Sequence, residues 1–168
     1  REGRSQTRDT GKSRKPIAVT KAIMDKYYWT EENFERLKTA SAFPDLRTIA
    51  MDILMRMPQP ISMVCGPIST GGLGNVRDNM QVFEKTIRNL HGSGKNVFNQ
   101  LPFDRKFEEF SSSAHMAYFT PILDEFYLPL IKSGYIKEMN FIKDWQSSTG
   151  ARWEHTLAIE LEIAIVEL

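Results

Sequence analysis

The stretch 61-ISMVCGPISTGGLGNVRDNMQVFEKTIRNLHGSGKNVFN-99 decides the fold. Ile61-Ser62-Met63-Val64-Cys65 is short and nearly continuously apolar, the composition of a strand buried in a parallel sheet. Pro58 and Pro60 separate it from what comes before. After the loop 66-GPISTGGLGN-75, the residues Val76, Met80, Phe83, Ile87 and Leu90 recur at helical spacing. Gly92 and Gly94 end that helix. Asn96-Val97-Phe98-Asn99 then reads as a second strand. Strand, crossover helix and strand make a βαβ unit, which is parallel and right-handed.

The rest of the chain extends this unit. A third strand is expected within Tyr135 to Ile142 and a last one within Ile163 to Leu168. Residues 103 to 134 read as mostly helical, with breaks at Pro121 and Pro129. Upstream, 17-IAVTKAIMDKYYWTEENFERLKTA-40 carries an amphipathic helix broken near Thr30, an N-cap with Glu31 and Glu32 behind it. A second helix, 44-PDLRTIAMDILMRM-57, has the stripe Leu46, Ile49, Ala50, Ile53, Leu54 and Met57. The expected fold is α/β, a small Rossmann-like (flavodoxin-like) parallel sheet with flanking helices. The expected division is a basic tail over residues 1–16, a helical extension over 17–60 and the α/β domain over 61–168.

Composition sets the bounds. Among 168 residues, 41% are hydrophobic and 26% charged, with a formal net charge of +1. These are globular values, and the balance argues against nucleic acid or an acidic membrane as partner. Arg1, Arg4, Arg8, Lys12, Arg14 and Lys15 crowd the first fifteen residues, as a solvated tail or as a phosphate-contacting arm. The single cysteine, Cys65, has no internal disulfide partner and reads as a small buried hydrophobe. With no apolar run of membrane-spanning length and no signal peptide, a soluble, cytoplasmic protein is expected.

Two constellations bear chemistry. The loop 66–75 follows the first strand, where open parallel sheets bind ligands. Its Gly71, Gly72 and Gly74 allow backbone approach, Ser69 and Thr70 bring hydroxyls, and Gly66 and Asn75 join them as candidate binding residues. It matches neither G-x-G-x-x-G nor a P-loop, so NAD and ATP are poorly supported. A merely permissive turn is the plain alternative. The second constellation is 145-WQSSTGARWEHTLAIELEIAIVEL-168. Ser147, Ser148, Thr149 and Gly150 open a short helix in which Glu154 heads the inward stripe Leu157, Ala158 and Leu161. A first-turn glutamate is favoured by the helix dipole alone. At the head of an inward stripe, however, it would stay ionised, its pKa lowered by the dipole, and would suit a nucleophile.

Strand-Gly-Pro-Ile-Ser with a glycine-containing loop and helix, followed by W-x-x-S-x-G-A-R-W-E-x-x-x-A, resembles the nucleoside 2-deoxyribosyltransferase superfamily over about residues 61 to 168. The resemblance implies that Glu154 attacks C1′ of a deoxyribose, expels the base and forms a sugar ester. The nucleoside transferases carry an aspartate six residues before that glutamate. Here the position is Ser148, as in the related 2′-deoxynucleoside 5′-monophosphate N-glycosidases, where a serine contacts the 5′-phosphate. A second acid assists base departure in these enzymes, and Asp124 in 121-PILDEFYLPL-130 is the best match, against the plain reading of a solvated helix acid. Asp124 and Glu154 are therefore the expected catalytic pair.

The remaining candidates divide between binding and packing. Trp145 would stack a base or pack at a strand end. Arg152 would pair with phosphate or face solvent. His91, His115 and His155 lack metal spacing, so no metal and no organic cofactor is expected. The expected ligand is a small-molecule deoxynucleotide or nucleoside. The expected activity is hydrolysis or transfer at its N-glycosidic bond, and the alternative is a nucleotide-binding or interaction module without turnover. The apolar content of residues 17–57 points to a surface for a second copy, so a homo-oligomer, most simply a dimer, is expected.

Overall fold

Every residue of Ile61–Cys65 is buried, because the strand it forms has a neighbour on each edge and a helical layer on each face. The computed structural model describes residues 28–114 and 121–168. In chain order its helices are α1 (Glu31–Thr39), α2 (Phe43–Arg56), α3 (Val76–Gly92) and α4 (Leu101–Ala114). A π-helical segment (Ile122–Tyr127), α5 (Leu128–Lys132), a 3-10 turn (Trp145–Ser147) and α6 (Thr149–Glu160) follow. The strands β1 (Ile61–Cys65), β2 (Asn96–Phe98), β3 (Ile136–Phe141) and β4 (Ala164–Glu167) form one all-parallel sheet in the order β2-β1-β3-β4. The α/β class and parallel sheet expected from the sequence are both present. Strand order reverses at β1, whose flanking partners β2 and β3 lie on opposite sides, so the chain diverges there and leaves a crevice at the carboxyl ends.

The two faces of the sheet are covered unequally. Val64 and Val97 pack with Phe83 and Ile87 of α3 in a small cluster. Ile61, Met63, Phe98, Met139 and Phe141 join a much larger one built from α2, α4, the π-helical segment, α5 and α6. Residues 28 to 60 belong to that larger cluster, so the boundary at residue 60 does not separate two cores. Thr30 caps α1 as expected, its side chain accepting from the Asn33 amide at 3.2 Å. Trp29 is the pin: its indole N–H donates to the Asn99 carbonyl at 2.9 Å, and its ring packs 4.8 Å from both Phe34 and Phe103. The α2 stripe is buried within the chain as well. Of the aromatic and aliphatic residues behind the expectation of a second copy, Ile23 and Tyr27 lie outside the described residues. Among the described residues no helix is long and apolar enough to cross a membrane.

Two local expectations need correction. Pro129 does not break the helical run; it sits in the first turn of α5, where a missing N–H costs least. Leu161 is 38% exposed, because it is the C-cap of α6 and not part of its inward stripe. If the N-terminal helices are one core with the sheet, Trp29→Ala should cost about 3–5 kcal/mol in denaturant unfolding, the range for truncating a buried aromatic. A loss below about 1 kcal/mol would make them an appendage.

Candidate functional site

The crevice at the β1/β3 divergence holds a cleft of about 510 Å³, open mouth included, lined in part by Gly66, Ser69, Ser148, Gly150 and Glu154. Five elements meet there: the loop after β1, α3, α4 after β2, the π-helical segment, and α6 after β3. Ser148 is the N-cap of α6, its hydroxyl accepting from the Ala151 amide at 3.3 Å while the side chain stays buried at the cleft wall. The first-turn amides of Thr149 and Gly150 come before the helix's own hydrogen-bond ladder.

Glu154 is 7% exposed and lies in the second turn of α6, which starts at Thr149. The dipole therefore gives it little, since that effect fades beyond the first turn. Burial dominates and pushes its carboxyl from 4.5 up to about 8; a hydrogen bond from the Cys65 thiol counters this, and the nearby Asp104 charge adds to it. The expectation of an ionised, dipole-stabilised glutamate is thus overturned by desolvation. Cys65 is buried as expected, but it also touches the candidate nucleophile.

The second buried acid in the cleft is Asp104, not Asp124. Asp124 is exposed on the π-helical segment and does not line the cleft. Asp104 is 6% exposed, and its Oδ1 accepts a hydrogen bond of 3.2 Å from the Tyr127 hydroxyl. Its Oδ2 has no hydrogen-bond partner among the described residues. Burial raises it to about 8, the Tyr127 bond opposes this, and Glu108 adds to the rise. One helical turn earlier, Gln100 is 1% exposed and donates through Nε2 to the Val64 carbonyl at 2.7 Å, which leaves Oε1 unpartnered. Sequence reasoning missed both residues. The available signal was their position directly after the second strand, four residues apart and so on one helical face.

The glycine loop serves its own docking more than a ligand. Gly71 (φ +71) and Gly72 (φ +61) occupy the left-handed region. A Cβ on Gly71 would come within 2.4 Å of the Ser147 carbonyl oxygen, and the Gly72 amide donates to the Ser147 hydroxyl at 2.8 Å. Asn79 holds the loop from the other side, accepting from the Leu73 amide and donating to the Ile68 and Gly71 carbonyls. The Gly74 amide turns back to the Gly71 carbonyl. Of the residues expected here, Gly66 and Ser69 line the cleft, whereas Thr70, Gly71, Gly72 and Asn75 do not. Asn75 instead caps α3 by accepting from the Asp78 amide at 2.9 Å. The Thr70 hydroxyl is buried without a partner among the described residues.

Trp145 and Arg152 also lie outside the cleft lining. Trp145 stacks on His155 at 4.2 Å and packs on Phe141, the edge-packing alternative. Arg152 is exposed and turns back to the Gln146 carbonyl and the Thr149 hydroxyl. Comparison of the chain with protein-family models, curated proteins and solved structures found no match.

The buried acids make stability depend on pH in a defined direction. Folded Glu154 and Asp104 stay protonated up to about pH 8, whereas the unfolded chain ionises them near 4.5 and 3.8. The stability present below the unfolded values is therefore lost as pH rises toward 8 and levels off above it. Glu154→Gln, neutral throughout, should gain melting temperature relative to wild type between pH 5 and pH 9. A pH-independent difference would mean that Glu154 is ionised in the fold.

Proposed function

We propose that this chain cleaves or transfers the N-glycosidic bond of a 2′-deoxynucleotide or nucleoside through a covalent ester between Glu154 and C1′ of the sugar. The observation that carries the reading is the pair of buried carboxyls, Glu154 and Asp104, in one open cleft at the strand-order reversal. The resemblance of the Trp145–Ala158 motif to the nucleoside 2-deoxyribosyltransferase superfamily supports it, with Asp104 taking the acid's part.

The working state holds one proton between the two acids. The Cys65 hydrogen bond favours the anion on Glu154, leaving the proton on Asp104. Glu154 attacks C1′ as the C1′–N bond breaks, and the bond's electron pair goes to the base nitrogen, which takes the proton from Asp104. Asp104, now a carboxylate, takes a proton from water or from an acceptor base as that group attacks C1′ and releases Glu154. This is the two-carboxylate logic of retaining glycosidases. Gln100 Oε1 is an acceptor available to the departing base.

Incubation with a panel of deoxynucleosides and their 5′-monophosphates, followed by chromatography for free base, tests the reading. Wild type should release base, with a rate that peaks near pH 8 where the acid pair shares a single proton. Glu154→Gln should bind but release none, because an amide cannot form the sugar ester. Release that persists in this variant refutes the nucleophile. A nucleotide that binds and survives intact for hours favours the non-catalytic module.

The phosphate prediction concerns Ser148. A hydroxyl there, with Ser69 and the first-turn amides of α6, offers donors without negative charge. A 5′-monophosphate should bind more tightly than its nucleoside by roughly 1.5–3 kcal/mol, the scale of a charge-assisted hydrogen bond. Ser148→Asp keeps a competent helix cap and should remove the preference while sparing the nucleoside. Equal calorimetric affinities in wild type would restore the nucleoside transferase reading.

A further inference from the structure

The Asp104 carboxyl is held by one oxygen only. Tyr127 donates to Oδ1, whereas Oδ2 is buried and without a partner among the described residues, on a residue that lines the cleft. In a neutral carboxyl the oxygen that accepts such a bond is the carbonyl oxygen, so the proton belongs to the other. We propose that Tyr127 is a positioning residue that places the Asp104 proton on Oδ2, aimed into the cleft at the leaving group. The inference rests on the proposed glycosidic chemistry for its purpose, but not for the Tyr127–Asp104 link itself.

The fold has gone out of its way to put the phenol there. Tyr127 closes the π-helical segment, and π-turns are rare and concentrated at functional sites. The same segment turns Ile122 and Leu123 to the cleft wall, an apolar surface. A hydroxyl proton on an acid with a free acceptor beside it would rotate between its two oxygens. Tyr127 blocks one of these positions, which saves the reaction that reorientation. The titratable groups facing Asp104 are Glu108 on its own helix, Glu154 on α6 with Cys65 behind it, and Tyr127 itself. Of these only Tyr127 favours the Asp104 anion, so its loss raises the Asp104 midpoint.

Tyr127→Phe keeps the ring and removes the donor, and two measurements on the full chain decide the proposal. Carboxyl-carbon NMR titration follows Asp104 directly and needs no turnover. The midpoint should rise in the variant, and an unchanged midpoint overturns the proposal. In the kinetic arm a deoxynucleotide that the wild type cleaves is compared with 4-nitrophenyl 2-deoxyriboside 5-phosphate, whose leaving group departs without a proton. General acid assistance is worth about 10²–10⁴-fold. The variant's loss in kcat should therefore be at least about tenfold larger for the base than for nitrophenol. Equal losses would reduce Tyr127 to a structural role and overturn the proposal. Absence of base release from wild type would instead defeat the glycosidic reading, while the NMR titration would still decide the Tyr127–Asp104 link.

Discussion

The site depends on the divergence of the chain on either side of β1. With β2 on one edge and β3 on the other, the connections leaving β1 and β3 part at the carboxyl end of the sheet. Side chains and loop ends from five segments line that gap. Gly66 must be small there, since a Cβ would stand 3.0 Å from the Ile142 Cβ. The loop after β1 is locked to the turn before α6 through Gly72 and Ser147. That lock ties the wall carrying Ser69 to the wall carrying Ser148 and Glu154, alongside the bond from the Ile142 amide to the Cys65 carbonyl.

The cleft is costly to the fold. Gln100 Oε1 and Asp104 Oδ2, on residues that line it, are buried polar atoms without partners among the described residues. Each such atom costs about 1–3 kcal/mol of lost solvation, and two buried acids are held away from their charged forms besides. A sheet of four short strands would not carry this alone. The aromatic cluster beneath it does: Trp29, Phe98, Phe103, Phe107 and Phe126 are all nearly inaccessible and mutually packed. Stability spent on unpaired polar atoms in one place, and gathered by burial elsewhere, is the usual signature of a binding or reacting site.

Much of this was legible in the sequence because it rests on periodicity. Ile61–Cys65, α3 and β2 declare themselves through apolar spacing, and Thr30 through capping chemistry, both local properties of the chain. What was hidden depends on three-dimensional context. Asp104 stands between Phe103 and Phe107 in an amphipathic helix, where an acid ordinarily faces water, and only the docking of α4 under the cleft buries it. Glu154 was correctly placed inward, but its charge was misjudged because the helix starts at Thr149 and leaves it a turn too deep for the dipole. The glycines of the loop were read as ligand-facing. Gly71 serves instead the close approach to Ser147, and the Gly72 amide bonds the Ser147 hydroxyl 75 residues away in sequence, whereas Gly66 does line the cleft.

The helices before β1 reach the cleft indirectly, through packing. Trp29 packs on Phe103, the residue before Asp104, and Phe103 packs 4.9 Å from Phe126, the residue before Tyr127. Trp29 is also tied to the Asn99 carbonyl, next to Gln100. One indole therefore braces the backbone beside three of the cleft's polar residues. The desolvation that keeps Asp104 and Glu154 protonated is set by how completely this layer excludes water. The partners that set the titration of Glu154 (Cys65 and Asp104) come from β1 and α4, far from α6 in sequence.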